Sequence, residues 1–372
     1  MHRRNFLRGA VVLFGASRLR AQNGTPANAQ LARSIADAAN SVLAVFRPEL
    51  RRQLEFAFDD PERRDWSNVP HFVHPRKGAR FGDFNPQERA AAHGLLQTIL
   101  SSQGYDKALA IMERDEFLGE HPGPRDSGEA KFGSEFYFLD VFGKPGGDAP
   151  WGVQLDGHHC AVNVTVIGNA VTMTPTFLGA EPATIPSGRH AGWQVLGGES
   201  GKGFALRNAL APGELRRAVL AEAVPDDIFT GPGREDALKV PAGVSALHGR
   251  QRDLLESLVE EYLGNVPAEV AREYRAAIQH AGFDKLHFGW MGAAEMGKPV
   301  YYRVHGPALL IEYENRAALN PASGAGANHI HTVLRVPGND FGQDWLRRHH
   351  QQNHHGRGRR VRLIGCESRS RR

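Results

Sequence analysis

With 372 residues, 41% of them hydrophobic, the chain is long enough to bury a sizeable core and too mixed in composition for a fibrous or disordered protein. Its net charge of +4 comes from its ends: residues 1–21 carry +5 and residues 347–372 carry +8, which leaves the body between them at −9. An acidic body argues against a nucleic-acid-binding core. No later stretch reaches the roughly 20 apolar residues of a membrane helix, and two cysteines far apart, Cys160 and Cys366, make no disulfide framework.

The chain opens Met1-His2-Arg3-Arg4-Asn5-Phe6-Leu7-Arg8, then a short apolar run to Ala16. This is the grammar of a twin-arginine signal removed near Ala21, and it predicts a periplasmic or secreted protein. Apolar residues at helical spacing predict a helix over Leu31–Phe46. Pro86 suits a first turn, so a second helix runs from there to Leu100, and a third covers Tyr105–Phe117. Glu135–Phe142 then reads as a strand, followed by the turn chemistry of Lys144-Pro-Gly-Gly-Asp148. Trp151–Ile167 and Ala170–Phe177 read as two longer strands around Gly168-Asn169.

The order then repeats. Ser245–Leu263 and Ala268–His280 are helical, Lys285–Met291 is a strand, Val300–Glu314 a long strand, and His329–Val336 another. Overlaying the halves sets Gln87-Glu-Arg89 against Gln251-Arg252 and Trp151–Gly157 against Tyr301–Gly306, with Asn163 falling opposite Glu312. The reading is an α+β protein with mainly antiparallel sheet, in two helices-then-sheet halves over residues 30–210 and 240–346, an ancient duplication. From Arg347 onward nine arginines face one acid, Glu367, beside His349, His350, His354 and His355; this reads as a disordered basic tail.

His329-Ile330-His331 carries the sharpest chemical signal. Residues two apart on a strand face one way, so both imidazoles can share one metal ion. Glu312 ends an apolar run, where a buried carboxylate must be paired, hydrogen-bonded or metal-bound, and Glu314 shares its face. His158 and His159 are adjacent and point oppositely on a regular strand; His159 is the better ligand because it shares a side with Asn163, although a bulge at Gly157 would favour His158. Three histidines and a carboxylate with an open position make a catalytic rather than a structural site, for a divalent transition metal such as zinc, copper, iron, nickel or manganese. Glu314 is then a candidate base, and Arg303 and Arg335 are candidates to hold an anionic small-molecule substrate. The expectation is a metal-dependent enzyme, hydrolytic or oxidative. Its competitors are a metal- or ligand-binding protein without turnover and a structural protein whose histidines only hydrogen-bond.

Other motifs lead nowhere. Asp340-Phe-Gly342 has no other kinase feature around it, and Gly197-Gly-Glu-Ser-Gly-Lys-Gly203 lacks the order of a P-loop. One resemblance does hold. Gly157-His158-His159, Thr174-Pro175-Thr176-Phe177-Leu-Gly179-Ala180, Tyr301-Tyr302-Arg303, Gly306-Pro307, Glu312-Tyr313-Glu-Asn315 and Asn328-His329-Ile330-His331 together resemble the domain-of-unknown-function family 3500, over roughly residues 30–350. The resemblance implies one family domain spanning both halves and carries no assigned activity. The chain departs from it in an Ala/Gly/Pro-rich insert over Asn315–Ala327, beside the expected ligands, and at Cys160.

Overall fold

The computed structural model describes residues 26–123, 132–185 and 191–354, so the twin-arginine segment lies outside the described residues. Helices α1 (Pro26–Val45) and α2 (Pro48–Leu54) lead into the short β1 (Glu55–Phe56), and after an irregular stretch comes β2 (Ala79–Arg80). Helix α3 (Pro86–Ile99) starts from a capping box: the Asn85 side chain accepts from the Gln87 and Glu88 N–H groups, and the Glu88 carboxylate accepts from the Asn85 N–H. Helix α4 (Ser102–Glu120) begins at its own cap, Ser101. Five strands follow: β3 (Phe138–Phe142), β4 (Trp151–Gly157), β5 (Cys160–Ile167), β6 (Ala170–Thr172) and β7 (Thr176–Ala180).

The glycine-rich Gly197–Gly203 stretch opens a helix, α5 (Gly197–Ala209), rather than a phosphate loop. A Cβ at Gly203 would fall 2.4 Å from the Tyr302 ring, so glycine there permits close docking on the sheet. Then come α6 (Pro212–Ala218), β8 (Val219–Ala221), α7 (Gly249–Leu263), α8 (Ala268–Ala281), β9 (His287–Gly292), β10 (Val300–Gly306), β11 (Leu309–Ala317), β12 (Ala327–Arg335) and α9 (Gln343–His354). The last helix takes in residues 347–354 of the stretch expected to be disordered, and the rest of that tail lies outside the described residues.

Among the described residues the class is mixed α+β: nine helices and one twelve-stranded, mostly antiparallel open sheet. Its order is β1-β3-β4-β5-β7-β12-β11-β10-β9-β8, with β2 on β3 and β6 on β5 as side branches. Only the outermost pairs, β1 with β3 and β8 with β9, are parallel. Read outward from the β7–β12 seam, the strand order on one side mirrors the other.

Two expected long strands are hairpins instead. Trp151–Ile167 folds back at His158-His159, pairing Gly157 with Cys160, and Val300–Glu314 folds back at Pro307-Ala308, pairing Gly306 with Leu309. Strand-forming residues recur at period-two spacing on both sides of each turn, and the reversals were hidden because neither turn carries an Asn-Gly or Gly-Gly signature.

Strand alternation divides the sheet into two unlike faces. Val153, Leu155, Val162, Val164, Ile311, Tyr313, Ile330 and Leu334 share one face, where they join the helices in the main core. The other face carries Gln154, Asp156, Asn163, Glu312, Glu314, His331 and Arg335, and these too are buried. Irregular segments cover them. Trp66, Ile228 and Phe341 pack with Ala161, Phe177 and Val333 in a small second core. Arg335 donates through Nε and Nη2 to the Thr230 carbonyl, and Arg76 forms a buried ion pair with Asp156 at 2.7 Å. The residues between the two expected halves thus belong to the fold as the lid of its polar face.

Candidate metal centre

His329 and His331 project from β12 onto the polar face, at the seam with β7. His159 reaches the same point from the β4–β5 turn, not from a strand as alternation suggested. Its φ is +63°, a left-handed conformation costly for a residue with a Cβ. The turn is fastened on several sides: Tyr137 Oη donates to the His158 carbonyl, the Gly179 N–H donates to the His159 carbonyl at 2.7 Å, and the His159 N–H reaches the Asn68 carbonyl at 3.4 Å.

The three imidazoles converge through their Nε2 atoms. His159 and His329 are 2.9 Å apart there, as are His329 and His331. All three are at most 3% exposed. Room for two of the rings comes from Gly179, the cross-strand partner of His331, because a Cβ at that position would lie 3.0 Å from His159 Cδ2 and 3.2 Å from His331 Cδ2.

Behind the rings stand carboxylates. His331 Nδ1 is 2.7 Å from Asp227 Oδ1. His329 Nδ1 is 2.9 Å from Glu181 Oε2, in a bent contact rather than a well-aligned hydrogen bond. Glu181 is held in turn by the Asn320 N–H at 2.6 Å and, at 3.4 Å, by Ser323 Oγ, both from the segment that joins β11 to β12. Burial alone would raise Asp227, but the His331 hydrogen bond and charge and the Ile228 N–H bring it down to about 2. Burial, then neighbouring positive charges, pushes His159 below the usual imidazole range; burial lowers His331 although Asp227 opposes it, and takes His329 to about 4 although Glu181 opposes it. The imidazoles are therefore neutral at physiological pH, the form that binds metal.

Glu314 lies opposite His331 in the β11–β12 ladder and forms a second convergent group with His331 and Asp227. It is fully buried and neither carboxylate oxygen has a hydrogen-bond partner. Burial pushes it up to about 9 against the attraction of Arg316.

The remaining expected residues sit elsewhere. His158 Nδ1 bonds Asp115 Oδ1 at 2.5 Å, and its ring stacks on that of His159 at 3.7 Å between centroids, so it buttresses the triad. Glu312 accepts from the Phe229 and Thr230 N–H groups at 2.8 Å, from Thr230 Oγ1, and from Tyr301 Oη at 2.7 Å; those bonds tie down the covering loop and leave it outside the triad. Arg335 is committed to Asp340 at 2.6 Å and to Thr230. Arg303 is buried on β10, two strands from β12. Sequence reasoning missed Asp115, Glu181, Asp227 and Asn68. The available signals were faint: Glu181 directly follows a strand, and Asp227 precedes Ile228-Phe229 in a stretch with no periodicity.

His159, His329 and His331 could hold one metal ion. Zinc-to-imidazole bonds are about 2.0–2.1 Å, so one ion can reach nitrogens 2.9 Å apart. Such an ion would act as a Lewis acid and lower the pKa of water. No curated protein and no solved structure matches the chain. Residues 28–343 do match the family described as "Protein of unknown function (DUF3500)", and the chain belongs to that family.

Proposed function

We propose that this protein is a metal-dependent enzyme, a hydrolase or an oxidoreductase, in which His159, His329 and His331 hold a divalent transition metal and Glu314 moves a proton for a small-molecule substrate. One observation carries the reading. Asp227 fixes the proton of His331 on Nδ1 and Glu181 favours the same for His329, so both Nε2 atoms present bare lone pairs only 2.9 Å apart. That contact is repulsive unless a cation lies against both. Carboxylate partners behind metal-bound histidines set the tautomer and raise ligand basicity in just this way. Three protein ligands leave a coordination position for chemistry, and Glu314 stands beside the histidines with no hydrogen bond of its own and, among the described residues, only the cation of Arg316 near it, at 3.9 Å.

The twin-arginine segment supports export, which places the protein in the periplasm or outside the cell. The mirrored strand order and the equivalent hairpin registers, Gln154 with Asn163 and Arg303 with Glu312, support descent from a duplicated unit.

Elemental mass spectrometry of the protein purified without residues 347–372 tests the reading, because those residues include four histidines that could bind metal by themselves. About one transition metal per chain is expected, lost in the His329→Ala, His331→Ala double variant. A folded wild type that takes up no metal even after reloading refutes the metal centre. Stoichiometric metal with Glu314→Gln as active as wild type on an identified substrate removes Glu314 from the chemistry.

A further inference from the structure

Arg316 is the cation at this site that no other group uses. It precedes the irregularity that ends the β11–β12 ladder and lies directly across from His329, while Glu314, two residues earlier, lies across from His331. Each β12 histidine thus has a charged cross-strand neighbour, one acid and one base. The Arg316 side chain is 24% exposed, but its Nε is buried and has no partner. Its nearest carboxylate oxygen, Glu314 Oε2, is 3.9 Å away, beyond hydrogen-bond length, and among the described residues its guanidinium makes no hydrogen bond. After burial, its charge is among those that lower all three histidines. A guanidinium whose buried Nε lacks a hydrogen bond is costly unless a ligand completes it. Strand irregularities of this kind commonly re-aim side chains beside active sites.

We propose that Arg316 is the substrate anchor, binding the carboxylate of a monoanionic substrate where that carboxylate also meets the ion held by the three histidines. This rests on the metal reading above. Charge selects the class. Glu181 and Asp227 would balance a divalent ion among neutral imidazoles; Arg234, 3.4 Å from Asp227 Oδ2, is half exposed and screened by water, which leaves Arg316 as the surplus positive charge within the site. A carboxylate matches it and fits the fork of an arginine. A phosphate dianion exceeds it and meets Glu314 as well. Arg303 and Arg335 are not placed for the task, the first two strands away and the second tied to Asp340.

The test uses the cobalt(II)-loaded protein, whose visible spectrum reports the coordination shell. Wild type and Arg316→Gln are each titrated with acetate, inorganic phosphate and imidazole. Imidazole is a neutral ligand that needs the open metal position but no cation, so it checks that the variant's site is intact. The expected result is equal cobalt content and imidazole affinity in both proteins, with acetate weakened about 10-fold or more in Arg316→Gln. Acetate affinity unchanged by the substitution overturns the anchor. Phosphate binding more tightly than acetate in wild type overturns the carboxylate assignment. Absence of a cobalt spectrum in wild type, seen before any anion is added, sinks the metal reading and the anchor with it.

Discussion

His331 shows how much one side chain depends on its neighbours here. Its Nε2 faces the other histidines while its Nδ1 meets Asp227 at 2.7 Å. Substituting Asp227→Asn or Glu181→Gln should therefore weaken metal binding roughly 10–100-fold without removing a ligand. Competition against a chromophoric chelator measures this, and unchanged affinity in both variants would show that the carboxylates do not orient the rings. A second buried carboxylate, Asp140, answers a different question. Burial, reinforced by Asp156 and Glu62, raises it well above the usual range, and its Oδ1 has no partner. Its folded-state pKa exceeds the unfolded value of about 3.9, so its favourable contribution is complete below that pH and is lost as pH rises. Asp140→Asn should accordingly raise the melting temperature at pH 7.5, by an increment that shrinks toward pH 4. A gain that is the same at both pH values would mean that ionisation of Asp140 does not cause it.

At the scale of elements, the decisive contact is β7 against β12. Gly179→Ala would bring a Cβ to 2.7 Å from the Ile330 carbonyl and against two imidazoles. We expect a loss of about 1–3 kcal/mol from overpacking, together with lowered metal content. Calorimetry of the metal-free variant separates the two effects, and full metal retention would show that the rings tolerate being spread. Five helices, α1, α3, α4, α7 and α8, were legible in sequence because their apolar period and caps are local: α3 announces itself through Asn85, Pro86 and Glu88. The two histidines of β12 were legible because period-two spacing fixes their common face. The β4–β5 reversal was not, because its turn is held by Tyr137, Gly179 and Asn68 rather than by turn-forming residues. Asp227 was beyond reach for the same reason. It is brought to His331 by the covering loops of the polar face, and nothing in a loop's own sequence says which strand it will cross.

For the whole molecule, the unusual property is a sheet buried on both faces, one by helices and apolar packing, the other by loops over charged groups. Buried pairs such as Arg76 with Asp156 hold that second face, and they are weak sources of net stability but costly to break. The family match ends at residue 343, just beyond β12. Among the described residues β12 is the last strand, yet it lies at the centre of the sheet between β7 and β11. During synthesis every other strand leaves the ribosome before the one that joins them. Until then β7 and β11 are both unpaired inner edges, open to association with other chains. A chain stopped at residue 325 should therefore aggregate rather than fold as a smaller domain; a soluble, monomeric, cooperatively melting product would contradict this. The same order of events sets when the centre can be loaded. Two of the three histidines arrive with the last strand of the sheet, so any ion they hold can enter only after that strand is made, as a late act of the protein's biogenesis.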